Sequence, residues 1–374
     1  MRAIVRYVSL LAVVAVVAAP CAREAFAQTV SRFEWSRATP EEMGMDRAKL
    51  EQARRYSSFD NQDPHAGGSG LVIRGGKLVM AWGDSRQLYQ IKSATKSVAI
   101  AALGLAIQDG RVRLDDRASR LHNRLGVPPE SNVDTGWLPH ITLEQLATHT
   151  SGFDRGHGYE KLVFEPGTMW AYSDGGPDWL GECLTLEYRR DMSDLLFERV
   201  FTPLGIGTDD LRWRSAYNRP ELLQGIKRRE FGSGIRANVD ALARIGQLYL
   251  KGGLWEGRQL VPRAFVERAR TTAAWMRGLP LLRKGNPEAS QHYGLLWWNN
   301  SDSALKSVPT DAFWAWGGMQ GRDTETLLVV IPSLDIVAVR VGTGWGDGTI
   351  DYRFLEPFIA PIAEAVVRQS PPSR

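Results

Sequence analysis

Residues 92–110 read KSATKSVAIAALGLAIQDG, and the rest of the chain is best understood from this stretch. From Ser97 to Ile107 the residues are apolar on nearly every side of a helical projection, and Asp109-Gly110 follows them. Such a pattern is typical of a fully buried helix, and glycine is common just past a helix C-terminus. We therefore predict a central buried helix over 97–107.

The segments outside this helix predict a sheet built from both ends of the chain. The pair Gly75-Gly76 stands between two apolar segments, Gly70–Arg74 and Lys77–Trp82, and this arrangement is typical of a β-hairpin. Thr326–Ile331 and Ile336–Val341 are rich in β-branched residues and are joined by a short turn, so they predict a second hairpin. Further helices are predicted at residues 46–56, 142–146, 178–186 and 237–250.

This order of elements predicts an α/β (α+β) fold with an inserted helical lobe. We place the sheet-containing lobe at residues 28–92 and 232–374 and the all-helical lobe at residues 93–231. The pattern shows no internal repeat and no long low-complexity linker.

The first 27 residues have the pattern of a Sec-type signal peptide. Arg2 and Arg6 precede the apolar stretch 8–19, and Ala25-Phe26-Ala27 fits the small-x-small cleavage site. The stretch is too short to span a bilayer, although an uncleaved anchor or a buried core segment is the alternative. We predict a secreted or periplasmic protein that has no stable membrane span after cleavage.

Composition indicates a soluble globular protein and excludes several functions. The 374 residues carry 46 Lys+Arg and 42 Asp+Glu, with no long block of one charge, so we predict no nucleic-acid partner. The six histidines form no zinc-binding pattern and no glycine-rich nucleotide loop is present, so we predict neither a metal nor a cofactor.

Ser93 and Lys96 are the first candidate catalytic pair. They would share one face of the first turn of the buried helix, whereas a second Ser-x-x-Lys match, Ser303 to Lys306, follows a polar run. A lysine that opposes the helix dipole and is desolvated should have a lowered pKa, as a neutral general base requires. We predict Ser93 as nucleophile, with its own N–H forming half of an oxyanion hole; the alternative is that Ser93 only caps the helix.

Tyr172 is the candidate that moves a proton to the leaving group. It follows the Pro166-Gly167 turn and lies in Tyr172-Ser173-Asp174, on a loop suited to point into a cleft. The alternative is a packed core aromatic. Whether Lys96 or Tyr172 is the acting base stays open from the sequence.

Taken together, these segments resemble the serine β-lactamase and penicillin-binding-protein superfamily, most closely its class C-like esterase and peptidase branch. The resemblance covers nearly all of the chain after residue 27. The matching segments are Ser93-Ala94-Thr95-Lys96-Ser97, Pro166-Gly167 with Tyr172-Ser173-Asp174, Trp316-Gly317-Gly318, and the connecting segments at residues 146–152 and 293–298.

The resemblance implies an antiparallel sheet of about five strands flanked by helices, and acyl-enzyme chemistry in a cleft beside it. It implies that the Met319 N–H is the second oxyanion donor and that His149 lies in a structural turn. It also implies substrate contacts from Asp174, Trp316, Gly317 and Gly318.

Two departures from the family pattern bear on the substrate. Asp174 replaces the usual Asn, and a carboxylate there could pair with Lys96, raise the pKa of the lysine and move proton acceptance to Tyr172. Trp316 replaces the lysine that holds a substrate carboxylate, which favours a neutral or aromatic acyl group. Ser173 is a competing candidate for the proton shuttle.

The remaining tryptophans and cations near these motifs leave the substrate preference open. Trp170 and Trp314 would strengthen an apolar preference if they line the cleft with Trp316, whereas Lys92 or Arg322 could restore the missing positive charge.

The sequence thus predicts a serine hydrolase that cleaves a small-molecule ester, amide or peptide through a Ser93 acyl-enzyme. A class C-like β-lactamase or D-alanyl-D-alanine carboxypeptidase is one alternative. A non-catalytic penicillin-binding-like sensor is the other.

Overall fold

The computed structural model describes residues 33–57, 68–156, 158–283, 288–318, 324–343 and 352–367. The predicted signal peptide and Met319 lie outside these residues. Within them, none of the helices combines the length and the apolar character that a membrane crossing requires.

The described residues form ten α-helices and thirteen strands. The helices are α1 (Arg47–Ser57), α2 (Ala94–Ala99), α3 (Ala101–Gln108), α4 (Ala118–Leu121), α5 (Leu143–Ala147), α6 (Gly175–Tyr188), α7 (Met192–Leu196), α8 (Val239–Leu250), α9 (Arg263–Ala269) and α10 (Glu356–Glu364). The strands are β1 (Ser69–Arg74), β2 (Lys77–Trp82), β3 (Tyr89–Gln90), β4 (Leu211–Trp213), β5 (Leu222–Leu223), β6 (Ile226–Lys227), β7 (Ile235–Ala237), β8 (Leu254–Trp255), β9 (Arg258–Gln259), β10 (Trp298–Asn299), β11 (Phe313–Gly317), β12 (Thr324–Ile331) and β13 (Ile336–Thr343).

The main sheet is antiparallel and six-stranded, in the order β10-β11-β12-β13-β1-β2. Its two halves come from opposite ends of the chain and join where Ser69 of β1 pairs with Val341 of β13. This arrangement confirms the predicted α/β fold with a sheet closed by both chain ends. The predicted count of about five strands is one too low because β10 has only two residues, too few to show strand alternation in the sequence.

Both predicted hairpins are present. Gly75 and Gly76 connect β1 to β2 with φ values of 58° and 75°. Two consecutive positive φ values match the turn that suits the twist of paired strands, and glycine adopts them without strain. In the second hairpin β12 pairs with β13, with Ile331 opposite Ile336 at the turn and Thr324 opposite Thr343 at the far end.

The predicted central helix is present but is divided in two. It begins earlier than predicted, at Ala94, and is interrupted at Ile100, so α2 and α3 follow one another. Every residue of α2 is buried, and α2 packs against β11. The division leaves the Ser93–Lys96 turn in a short helix of its own beside the sheet.

Helix α8 packs on the sheet through a close approach at Gly246. A Cβ added there would lie 2.7 Å from side-chain atoms of both Leu328 and Val337. Because such contacts are closer than packed side chains allow, glycine sets the distance between helix and sheet. The boundaries of the two lobes stay a prediction.

Candidate active site

Ser93 lies immediately before α2, and Lys96 lies in the first turn of that helix. The Lys96 Nζ donates a hydrogen bond of 3.1 Å to the Ser93 Oγ, as the predicted shared face requires. The Ser93 side chain makes no capping bond to the helix, so the hypothesis that it serves only as a cap has no contact to support it. Ser93 is half-buried, while the helix behind it is buried.

The Lys96 ammonium is enclosed by three acceptors. Its side chain is 1% exposed, and besides Ser93 it donates to the Gly232 carbonyl at 2.7 Å and forms a short ion pair with the Asp174 Oδ1. A lysine ammonium has three donors, so each finds a partner here. The arrangement satisfies a buried charge that would otherwise be costly to enclose.

The prediction that Lys96 has a lowered pKa is wrong for this structure. Burial is the largest single influence and acts in that direction, but the charge and hydrogen bond of Asp174 together with those of Tyr172 outweigh it, and the pKa of Lys96 is raised above its usual value. Lys96 is therefore a cation throughout the neutral pH range. The pairing with Asp174 that the sequence offered as the alternative is present.

Asp174 directs its carboxylate at Lys96. It precedes α6, is 6% exposed, and makes no side-chain capping bond to that helix. Ser173 makes such a contact instead, since its Oγ accepts the Gly176 N–H at 3.1 Å. The hydroxyl of the competing shuttle candidate is thus engaged at the start of α6.

Tyr172 lies beside Lys96, with the centre of its ring 4.9 Å from the Nζ. His149 holds the chain on both sides of this tyrosine: its carbonyl accepts the Ala171 N–H at 2.9 Å and its Nδ1 accepts the Ser173 N–H at 3.4 Å. The His149 and Tyr172 rings also pack at 4.5 Å. These contacts match the structural turn that the resemblance implied for His149.

The network assigns the proton on His149. Because the Nδ1 accepts a backbone N–H, the neutral ring carries its hydrogen on Nε2, which lies 3.0 Å from the Tyr293 hydroxyl. Burial, followed by the charge of Lys96, holds the pKa of His149 well below its usual value. The imidazole therefore stays neutral and orients the Tyr172 segment.

The third motif brings β11 against the nucleophile. A Cβ added to Gly317 would lie 2.1 Å from the Ile91 carbonyl oxygen and 2.8 Å from the Ser93 backbone nitrogen, so only glycine allows this approach. Gly318 follows with a φ of 152°, and a Cβ there would lie 2.9 Å from the Glu325 side chain. The predicted second oxyanion donor, Met319, is outside the described residues.

Trp316 is half-buried and held by a partner that sequence reasoning missed. Its Nε1 donates to the Glu325 Oε1 at 2.8 Å. The Trp316 ring lies 5.9 Å from Trp298, which in turn stacks on Tyr172 at 6.3 Å, so an aromatic row connects the third motif to the second. Glu325 could have been noticed from the sequence as a charged residue at the start of a strand that is otherwise rich in β-branched residues.

Trp170 and Trp314 are not exposed as a cleft wall would require. They are 4% and 0% exposed, respectively, and belong to the hydrophobic core. Of the three tryptophans considered from the sequence, Trp316 alone keeps substantial exposed surface.

One side-chain cluster in the described part of the chain has the composition of a metal site. Glu288, His292 and Asp302 bring one ligand atom each within 4.8 Å of one another. The His292 Nδ1 and Asp302 Oδ1 lie 2.5 Å apart, and burial, aided by the Arg277 charge, lowers the pKa of this histidine. This cluster does not include any predicted site residue.

Comparison with known proteins agrees with this geometry. The sequence model of the beta-lactamase family matches residues 52–354. The chain belongs to the β-lactamase family.

Solved structures share the fold of this β-lactamase-family protein at low sequence identity. A β-lactamase from Mycobacterium bovis is 22% identical, with a TM-score of 0.58 over 80% of this chain and 94% of the other. A penicillin-binding-protein homologue from Caulobacter crescentus is 16% identical, with a TM-score of 0.63 over 88% and 100% of the two chains. EstCE1, a hydrolase with promiscuous acyltransferase activity, is 16% identical, with a TM-score of 0.61 over 86% and 99%.

Replacing Asp174 by Asn, the usual residue of the family motif, tests the ion pair. The amide oxygen can still accept from Lys96, but the charge that outweighs burial is gone, so we expect the pKa of Lys96 to fall. A ¹⁵N NMR titration of the lysine Nζ measures this shift. The exposed Asp194 on α7 provides the control variant Asp194→Asn, which should leave the titration unchanged; an unaltered Lys96 titration in Asp174→Asn would contradict the assignment.

Proposed function

We propose that this protein is a serine hydrolase that cleaves a neutral carboxylic ester through a Ser93 acyl-enzyme. The observation that carries the proposal is the 3.1 Å bond between the Ser93 Oγ and a buried, fully bonded Lys96 that also lies next to Tyr172. A half-buried hydroxyl beside a fixed cation and a second proton-transfer group is the arrangement that an activated nucleophile needs.

Lys96 acts in this mechanism as a cation and Tyr172 as the base. To accept a proton the Tyr172 oxygen must carry a negative charge, and the adjacent Lys96 ammonium is the group that would stabilise it. Ser93 Oγ attacks the carbonyl carbon while its proton passes to the Tyr172 oxygen. The ester C–O bond then breaks as this proton passes to the leaving alkoxide, and water releases the acid by the same steps.

The oxyanion would be bound by backbone donors. Gly317 lets β11 run beside the Ser93 N–H, which is one donor, and the proposed second donor is the Met319 N–H two residues further along the chain. The Ser93 N–H lies at the start of α2 and is fixed before the reaction, so it needs little reorganisation as charge develops.

The preference for a neutral ester rests on Trp316. The family motif has a lysine at this position, whereas here an indole is held by Glu325, whose charge faces Arg340, so this contact adds no cation for the substrate. An anionic substrate would lose its cationic anchor and meet an apolar surface instead. The likeness to EstCE1, a hydrolase with promiscuous acyltransferase activity, is compatible with ester chemistry.

Hydrolysis of a short-chain p-nitrophenyl ester and of a chromogenic cephalosporin by the wild type and Ser93→Ala tests the reaction class. We expect ester turnover that the substitution reduces by at least about a thousandfold, because the covalent step has no other nucleophile, and little cephalosporin turnover. Efficient cephalosporin cleavage would indicate a β-lactamase. Covalent labelling of Ser93 without turnover would favour a binding protein.

Replacing Tyr172 by Phe tests the base. The ring contacts with His149 and Trp298 remain, so the fold should be kept, but the proton acceptor is lost. We expect the acylation rate to fall by about 10²–10⁴-fold, the range for general-base catalysis. A stopped-flow burst measurement gives the rate, and a full acylation rate in the variant would assign the proton transfer to another group.

Trp316→Lys tests substrate charge. It places a cation at the position of the family lysine, so we expect kcat/KM for anionic β-lactams to rise and that for neutral esters to fall, each by roughly tenfold. Trp316→Phe is the matched control because it keeps an aromatic surface without adding charge. A rise in β-lactam turnover in both variants would mean that steric access, and not charge, determines the preference.

A further inference from the structure

Three acidic residues follow one side of α6, spaced four residues apart. Asp174, Asp178 and Glu182 occupy successive turns, so their side chains lie on the same face of the helix. Asp174 pairs with Lys96, and Glu182 is buried against Arg219 at 2.7 Å. Asp178 lies between these two ion pairs and has no part in the mechanism proposed above.

The contact that Asp178 makes leads directly to Lys96. Its Oδ1 accepts the Gly232 N–H at 2.9 Å, and the carbonyl of the same glycine accepts the Lys96 Nζ at 2.7 Å. Both polar groups of one residue are therefore fixed, one by the acid and one by the lysine. A shift of the Gly232 backbone would move the acceptor that orients the ammonium.

Gly232 allows this geometry because it has no side chain. A Cβ there would lie 3.1 Å from both the Cβ and the Oδ1 of Asp174. The glycine thus passes close to the ion pair, and nothing in its own side chain fixes its orientation. The bond to Asp178 supplies this constraint from α6.

We propose that Asp178 is a positioning residue which, by holding the Gly232 backbone, keeps the Lys96 ammonium on the Ser93 hydroxyl. This inference rests on the proposed function in so far as Lys96 assists the reaction at Ser93. Asp178 acts through Gly232 and Lys96, and nothing assigns it a contact with substrate.

The surroundings of Asp178 make its charge sensitive to pH. The charged groups that act directly on Asp178 are Arg219, Asp174 and Glu230. Two further charged groups act on these partners: Lys96 interacts with Asp174, and Glu160 interacts with Arg219. Burial raises the pKa of Asp178 to about 7; Arg219 opposes this shift and Asp174 adds to it. An ionised carboxylate is a stronger acceptor than a neutral one, so the hold on Gly232 should tighten as pH rises through 7.

The same shift has the opposite effect on stability. The pKa of Asp178 is higher in the folded state than the value of about 3.9 in an unfolded chain. Its contribution to stability is therefore complete below pH 4 and is lost as pH rises toward 7.

Two substitutions distinguish a role of Asp178 in positioning Gly232 from a purely structural role. Asp178→Asn keeps an oxygen that can accept the Gly232 N–H, whereas Asp178→Leu fills the space without an acceptor. Glu187→Gln, which changes an acid near the far end of the same helix, is the matched control. The probe is a fluorophosphonate, which forms a P–O bond with Ser93 Oγ as fluoride leaves and the hydroxyl proton passes to the base.

We expect Asp178→Leu to slow Ser93 labelling and kcat for the p-nitrophenyl ester at least tenfold, with KM within about twofold. Asp178→Asn should stay within about threefold of the wild type at pH 6 and lose the rise in rate through pH 7. Its melting temperature should match that of the wild type at pH 4 and exceed it at pH 8. Glu187→Gln should behave as the wild type in each measurement.

Wild-type labelling rates in Asp178→Leu, or equal losses in the Leu and Asn variants, would overturn the inference. Failure of the wild type itself to react with the probe and the ester would instead overturn the proposed function. In that case the ¹⁵N signal of the Lys96 ammonium still decides: a signal unchanged by Asp178→Leu shows that Asp178 does not position the lysine. If Asp178→Leu does not fold, the loss of the pH-dependent rise in Asp178→Asn remains the deciding result.

Discussion

The ion pair between Lys96 and Asp174 is the constraint on which the rest of the site depends. A buried ammonium without a partner would cost several kcal/mol, so Lys96 can occupy the first turn of α2 only if other elements bring acceptors to it. Asp174 arrives from the start of α6 and Gly232 from the segment before β7. Once these segments converge, the lysine is fixed, and its remaining N–H donates to the Ser93 hydroxyl oxygen.

The motifs that carried the family resemblance are also joined to one another by hydrogen bonds. Ser97, one residue after Lys96, donates to the Leu296 carbonyl at 2.5 Å, and the Leu296 N–H donates to the Ala147 carbonyl at 2.9 Å. Tyr293 of the same segment bonds to His149, which holds Tyr172. Residues that have no chemistry of their own thus fix the distance between the nucleophile and the proposed base.

The sequence was informative where a function depends on local spacing. The shared turn of Ser93 and Lys96 follows from helical geometry, and the central glycines of the first hairpin follow from turn preferences. By contrast, the sequence supported two opposite expectations for the pKa of Lys96, lowered by burial or raised by pairing with Asp174, and only the fold shows that these residues, 78 positions apart, do pair. Gly232, Glu325 and Trp298 were missed as site residues for the same reason: their roles arise only when distant strands and loops meet. Local pattern alone also could not show the two-residue strand β10.

The pairing of β1 with β13 has a consequence for how the protein becomes active. Ser69 and Val341 are 272 positions apart, so the sheet cannot close until synthesis has passed residue 341. Long-range pairing of this kind is associated with slow folding, because the entropy of closing a large loop is lost before stabilising contacts can form. Ser93 is made early, but Gly317, which brings β11 against it, is made late. A nascent chain therefore carries the proposed nucleophile before it carries the strand that completes the surroundings of Ser93.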